Sequence, residues 1–241
     1  MAGLKIERVE LAAPRGSLKA LEAFYGHKIG VPVGVYGESE LELHIGHSTI
    51  QFSRMSGDER PFYHFAFLVP GNRFAAAHSW LAARAEVLPH LESEDTVFDF
   101  AFINARACYF HDPAANIVEL IAHRGISESH APGETFSVNE LVGVSEIGLV
   151  TPDKVRAAKT LDDSLGLTVW HGEVHGSDGL AFLGRQAHTV ILASPGRGWL
   201  PTDRPAEVHP VRVGLGGAQS GHVDLTYASH RVAAAPEPVR D

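Results

Sequence analysis

Residues 62–70 read FYHFAFLVP and residues 109–123 read YFHDPAANIVELIAH. The first is an apolar run of strand length that carries His64, and the second is a turn, HDPAAN, running into an apolar strand-length run that carries Glu119. Charged or titratable groups enter such runs only at a cost unless they are paired or used. Pro70-Gly71 ends the first run. Asn72 is then placed to cap a helix over residues 73–85, with Phe74, Ala77, Trp80 and Leu81 on one stripe. Residues 87–91 and 97–103 read as strands. In the turn HDPAAN, Asp112 before Pro113 is the natural turn former, because its carboxylate can accept from the backbone ahead. If the place of Ala115 needs positive φ, alanine costs about 1 kcal/mol there.

The same order, strand, helix, then strands, recurs on both sides. Residues 4–13 alternate as a strand, with Ile6, Val9 and Leu11 apolar. A helix follows from Ser17, with Leu18, Leu21, Phe24 and Tyr25 on one face, ended by Gly26 and Gly30. Strands follow as VPVGVYG, LELHIG and STIQFSR. A third copy runs from Leu141 to Ser194, its helix entered through Thr151-Pro152-Asp153 and ended by Gly166. HPVRVGLGG and GHVDLTY read as two strands of a fourth copy that has no helix, with frayed residues from Arg231 onward. The reading is therefore α+β, with repeated βαβββ modules. A helix covers one face of each small sheet, so paired modules form cup-shaped curved sheets whose inner face is free for a ligand. The expected organisation is a first domain over 1–124 (modules 4–54 and 62–123), a linker over 125–140, and a second, degenerate domain over 141–230.

Composition narrows the function. The net charge of −9 speaks against a nucleic-acid partner. No run approaches the roughly 20 apolar residues of a membrane span. Cys108 is the single cysteine, which excludes an intrachain disulfide, fits a cytoplasmic location, and reads as a buried, inert thiol. There is no nucleophile elbow, and GLGGAQSG at 214–221 lacks the lysine of a phosphate loop.

YFHDPAANIVELIA resembles the closing hairpin of the vicinal oxygen chelate superfamily, which includes glyoxalases, bleomycin-resistance proteins and extradiol dioxygenases. YHFAFLV is similar to that family's ligand strand, and FYGHKIG to the exit of its first helix. GRGWLPT at 196–202 looks like a stretch of longer members and carries no chemistry of its own. The resemblance implies one divalent metal in a cup, held by residues on the first and last strands of each module. By position these are Arg8 and Gln51 in the first module and His64 and Glu119 in the second. In the third module they are Glu146 and Ile191, and Arg212 takes the first-strand place in the fragment. Arg8 has no lone pair to offer. The expected ligands are therefore His64, Glu119 and Gln51, with Glu119 also catalytic, and His44, His47 or His123 as further options. The cup containing Glu146 and Ile191 is expected to be structural.

Imidazole and carboxylate donors suit Fe, Mn, Zn, Ni or Co. Tyr109, Phe102 and Asn104, with Phe98, Phe100 and Arg106 nearby, are candidate substrate contacts. Arg8 is a candidate anion-binding group. Two function classes follow. One is a metal-dependent lyase, isomerase or ring-cleaving dioxygenase acting on a small molecule. The other is a metal-independent binding or resistance protein that uses Arg8. A homodimer is compatible with either, and a purely structural protein with filled cups is a third option.

Overall fold

The computed structural model describes residues 3–129 and 135–235. The first module contains β1 (Lys5–Ala13), α1 (Leu18–Glu22), β2 (Val33–Tyr36), β3 (Glu40–Ile45) and β4 (Ser48–Arg54). The second contains β5 (His64–Leu68), α2 (Phe74–Ala82), β6 (Val87–Leu88), β7 (Phe98–Phe100), β8 (Ala105–His111) and β9 (Ile117–His123). The third contains β10 (Gly143–Val150), α3 (Lys154–Leu165), β11 (Val169–Gly172), β12 (Ala181–Arg185) and β13 (His188–Ala193). A small hairpin, β14 (Gly198–Trp199) and β15 (Arg204–Pro205), precedes the last unit of β16 (Val211–Gly216), β17 (Gly221–Leu225) and β18 (His230–Ala234).

Within each unit the first and last strands run side by side in parallel: β1 with β4, β5 with β9, β10 with β13, and β16 with β18. Between units the first strands meet antiparallel. Here the pairing departs from sequence order. β5 pairs with β10, and β1 pairs with β16. β1 touches β10 at Ile6 and Val144, which joins the two halves into one 16-stranded sheet. The second module thus builds its cup with the third, and the first module pairs with the last fragment. The expected cup between the first and second modules is replaced because β5 has its two edges filled by β9 and β10.

Several local expectations are refined. The first helix is an α-turn continued as a π-helix over Ala23–Ile29, so Gly26 lies inside it and Gly30, at φ 89°, ends it. Asn72 does not cap α2; its side chain bridges the backbone of Ser129. Asp153, not Pro152, sets the start of α3, its carboxylate accepting from Arg156 N at 2.9 Å. Residues 231–234, expected to fray, belong to β18, because His230, Val232 and Ala234 alternate inward against β16. Within the linker, Ser137 and Glu140 form a capping box, and Glu140 is ion-paired with Arg73. Cys108 is fully buried, and burial pushes its thiol well above the usual range. Among the described residues no helix is long and apolar enough to cross a membrane.

Candidate functional site

One lateral row of the sheet organises the site. Tyr109 on β8 stands opposite Glu119 on β9, Glu119 beside Ala66 on β5, Ala66 opposite Glu146 on β10, and Glu146 beside Thr189 on β13. Residues paired across a sheet share a face, and His64 shares it with Ala66 two positions on. Ala66 sits between the two glutamates, and its methyl group leaves space for both carboxylates. The β5–β10 ladder shifts register between Val144 and Glu146. That bulge takes up Ser145, whose hydroxyl donates to Ala187 O at 3.0 Å, and brings Glu146 into line.

The result is a group of His64, Glu119 and Glu146 whose donor atoms lie within 4.8 Å of one another. All three are buried, at 6%, 2% and 3% exposure. His64 Nδ1 lies 3.2 Å from Ile117 O, which assigns Nδ1 as the protonated nitrogen and leaves the Nε2 lone pair for the site. Nε2 is 3.5 Å from Glu119 Oε2. Burial holds the imidazole neutral, lowering it to about 4. Burial also raises Glu119 well above the usual carboxylate range, and the charge of Glu146 adds to this. Burial pushes Glu146 itself up to about 7. Tyr109 is raised too, by burial and then by Glu119, so its hydroxyl stays protonated.

Two buried carboxylates and a neutral imidazole with a free lone pair are suited to a divalent cation, whose charge would offset their desolvation. The fourth family position, Ile191, is apolar and lines the same cavity. The donor set is therefore one imidazole and two carboxylates, with its open side toward a cavity of about 860 Å³. The lining includes Phe100, Phe102, Trp170, His171, Phe182 and Trp199. Trp199, from the hairpin after β13, lays its ring against that of His64, centroids 4.8 Å apart. Gly148 makes room for it, since a Cβ there would come within 2.9 Å of the indole.

The other expected site residues divide. Phe102 and Tyr109 line the cavity, as does Glu119. Asn104 does not; it turns the chain at φ 53° and its side chain donates to Arg124 O. Arg106 pairs with Asp99 at the surface. Arg8 and Gln51 lie in the other half of the sheet, where they bond to each other. Arg8 also pairs with Glu10 at 2.9 Å and Glu42 at 3.2 Å, and Gln51 donates to Glu40 at 2.8 Å. Glu146, not Gln51, therefore stands with His64 and Glu119, because the second module faces the third. The cup expected to be structural is the one whose side chains could hold a cation. His123 is buried with Nδ1 at 3.2 Å from Ile103 O, His47 packs on His188, and His44 sits beside Glu42; none joins the group.

No family model matches the chain, and no curated protein sequence matches it significantly. Solved structures do match. A candidate dioxygenase from Bacillus subtilis superposes with a TM-score of 0.59 at 14% identity, over 96% of this chain and 85% of that one. One glyoxalase I variant from Zea mays gives 0.55 at 12% identity, over 96% of this chain and 92% of that one. A second gives 0.54 at 13% identity, over 90% and 76%. At these identities the likeness is one of architecture. The chain has the vicinal oxygen chelate fold of the glyoxalases and dioxygenases.

Proposed function

We propose that the protein is a metal-dependent enzyme that acts on a small oxygenated molecule in the cup between its second and third modules. The observation that carries this reading is the buried His64, Glu119 and Glu146 group at the floor of a large aromatic-lined cavity. His64 through Nε2 and the two carboxylates would hold the ion, with Fe, Mn, Zn, Ni or Co as candidates. The ion would supply Lewis-acid chemistry at substrate oxygens. The chain's own part is positional. Ile117 O orients the imidazole, Trp199 covers it and keeps water off that side, and Tyr109 presents a protonated hydroxyl beside Glu119.

Lyase or isomerase chemistry and ring cleavage by dioxygen both use such a site, and oxygen uptake during turnover separates them. The metal-independent alternative needed Arg8 as the anion group. Arg8 is not among the cavity's lining residues and is already paired with two carboxylates, which favours the metal reading. The test is elemental analysis of protein purified without chelator. Close to one ion per chain is expected, lost in His64→Ala with the melting transition retained. A wild-type protein that stays metal-free after incubation with each candidate ion would overturn it.

A further inference from the structure

The hairpin that carries Trp199 also carries Arg197, a basic residue lining the cavity. Its Nε donates to Asp178 O at 3.3 Å. No carboxylate comes within 4.0 Å of its guanidinium among the described residues, although Tyr109, Asp203 and Asp178 act on its charge. A partly buried guanidinium without an ionic partner is an anion site, and its planar fork matches a carboxylate best. Ring contacts relate it to the donor group. Arg197 lies over Trp199, 5.7 Å from the ring centroid, and Trp199 lies over His64. The guanidinium is thus one indole away from the proposed metal.

The same cavity has an aromatic stretch of wall. Phe102, 59% exposed, stacks on His171 with centroids 5.0 Å apart, and His171 is followed by Phe182 at 6.0 Å. An exposed aromatic ring in a cavity wall offers a stacking face to a planar ligand. We propose that Arg197 is the specificity-determining residue of this cup, selecting a flat aromatic substrate that carries a carboxylate. This rests on the reading of the cup as an active site and adds to it the substrate class and the residue that reads it.

The test compares 3,4-dihydroxybenzoate with its neutral amide, which share the ring and the neighbouring oxygens and differ in the anion. Binding is followed by quenching of Trp170 and Trp199 fluorescence, in metal-loaded and in chelator-treated protein. Wild type should bind the acid at least tenfold more tightly than the amide. Arg197→Met should erase the difference, with metal content and melting temperature unchanged, and Arg197→Lys should keep part of it. An equal preference in wild type and Arg197→Met overturns the proposal, as does failure of both probes to bind at millimolar concentration. A preference that survives chelation in a protein that takes up no metal would overturn the metal reading alone.

Discussion

Glu146 stands opposite Ala66 on the neighbouring strand, while Glu119 flanks the same alanine from the other side. Two carboxylates are thereby held across one small residue in a buried wall, with His64 two positions along. Nothing in the second module alone supplies Glu146; it arrives because β10 takes the free edge of β5.

The first prediction concerns that carboxylate. Glu146→Gln keeps the shape and removes the charge. Changes to groups that only support a metal's ligands cost about 10–100-fold in affinity, so removing the charge of a ligand itself should cost at least about 100-fold. Gln51→Ala, at the position expected from sequence, should leave metal affinity unchanged, because Gln51 is tied to Arg8 and Glu40 elsewhere in the sheet. Competition titration against a chromophoric chelator measures both. Equal losses in the two variants would refute the assignment of Glu146.

The second concerns pH. In the metal-free protein burial pushes Glu146 up to about 7 and holds Glu119 well above its ordinary range, while both ionise near 4.5 once unfolded. Folded pKa values are raised, so the folded state holds protons that the unfolded state has lost. The stability this contributes is present below the unfolded value and disappears as pH rises through 7 and above. His64 is neutral in both states once pH exceeds its ordinary 6.5, so it does not offset the trend there. The melting temperature of chelated protein should therefore fall between pH 6.5 and 8. Metal binding must displace the carboxyl protons, so affinity should rise over the same interval. A chelated protein that gains stability with pH in this range would contradict the burial of the pair.

These expectations also mark what the residues alone disclose. The module pattern was legible because apolar periodicity and turn chemistry act locally: each strand–helix–strand unit is written in consecutive residues. His64 and Glu119 stood out because ionisable groups in apolar runs are rare. The pairing of modules was not legible, since any first strand of this kind offers the same free edge to any other. Glu146 was identified as a position but placed in the wrong company for that reason. Trp199 and Arg197 stood in GRGWLPT, which carried no chemistry as sequence; the hairpin that brings them over the cavity has no periodicity, and only Gly148, small where the indole lies, records their arrival.

Ala115 supports a third prediction. It sits at φ 62° in the turn held by Asp112, whose Oδ1 accepts from Ala114 N at 2.9 Å and Asn116 N at 3.0 Å. A side chain in the left-handed region costs about 1 kcal/mol or more, and glycine removes that cost while adding unfolded-state entropy. Ala115→Gly should raise stability by up to about 1 kcal/mol, a shift of about 2–4 °C in a chain of this size. Thermal denaturation of the two proteins decides it. A lower melting temperature for the glycine variant would mean that the turn is not strained.

The last prediction tests the module pairing directly. The fragment 1–124 contains the first two modules, yet β1 and β5 share no ladder; their antiparallel partners are β16 and β10. Cutting after residue 124 leaves both strands with an open edge, and the buried face of β5 with Phe65 and Phe67 loses its neighbour. Exposed, apolar strand edges seek other strands. The fragment should therefore aggregate or associate through β5, lack a cooperative thermal transition as a monomer, and hold no metal, since Glu146 is missing. Co-expression with residues 125–241 should restore a soluble complex that binds metal. Size-exclusion chromatography and circular dichroism read the outcome. A monomeric, cooperatively folded fragment would show that the first two modules can close a cup on their own, and the pairing of β5 with β10 would then be a preference of the whole chain rather than a requirement for folding.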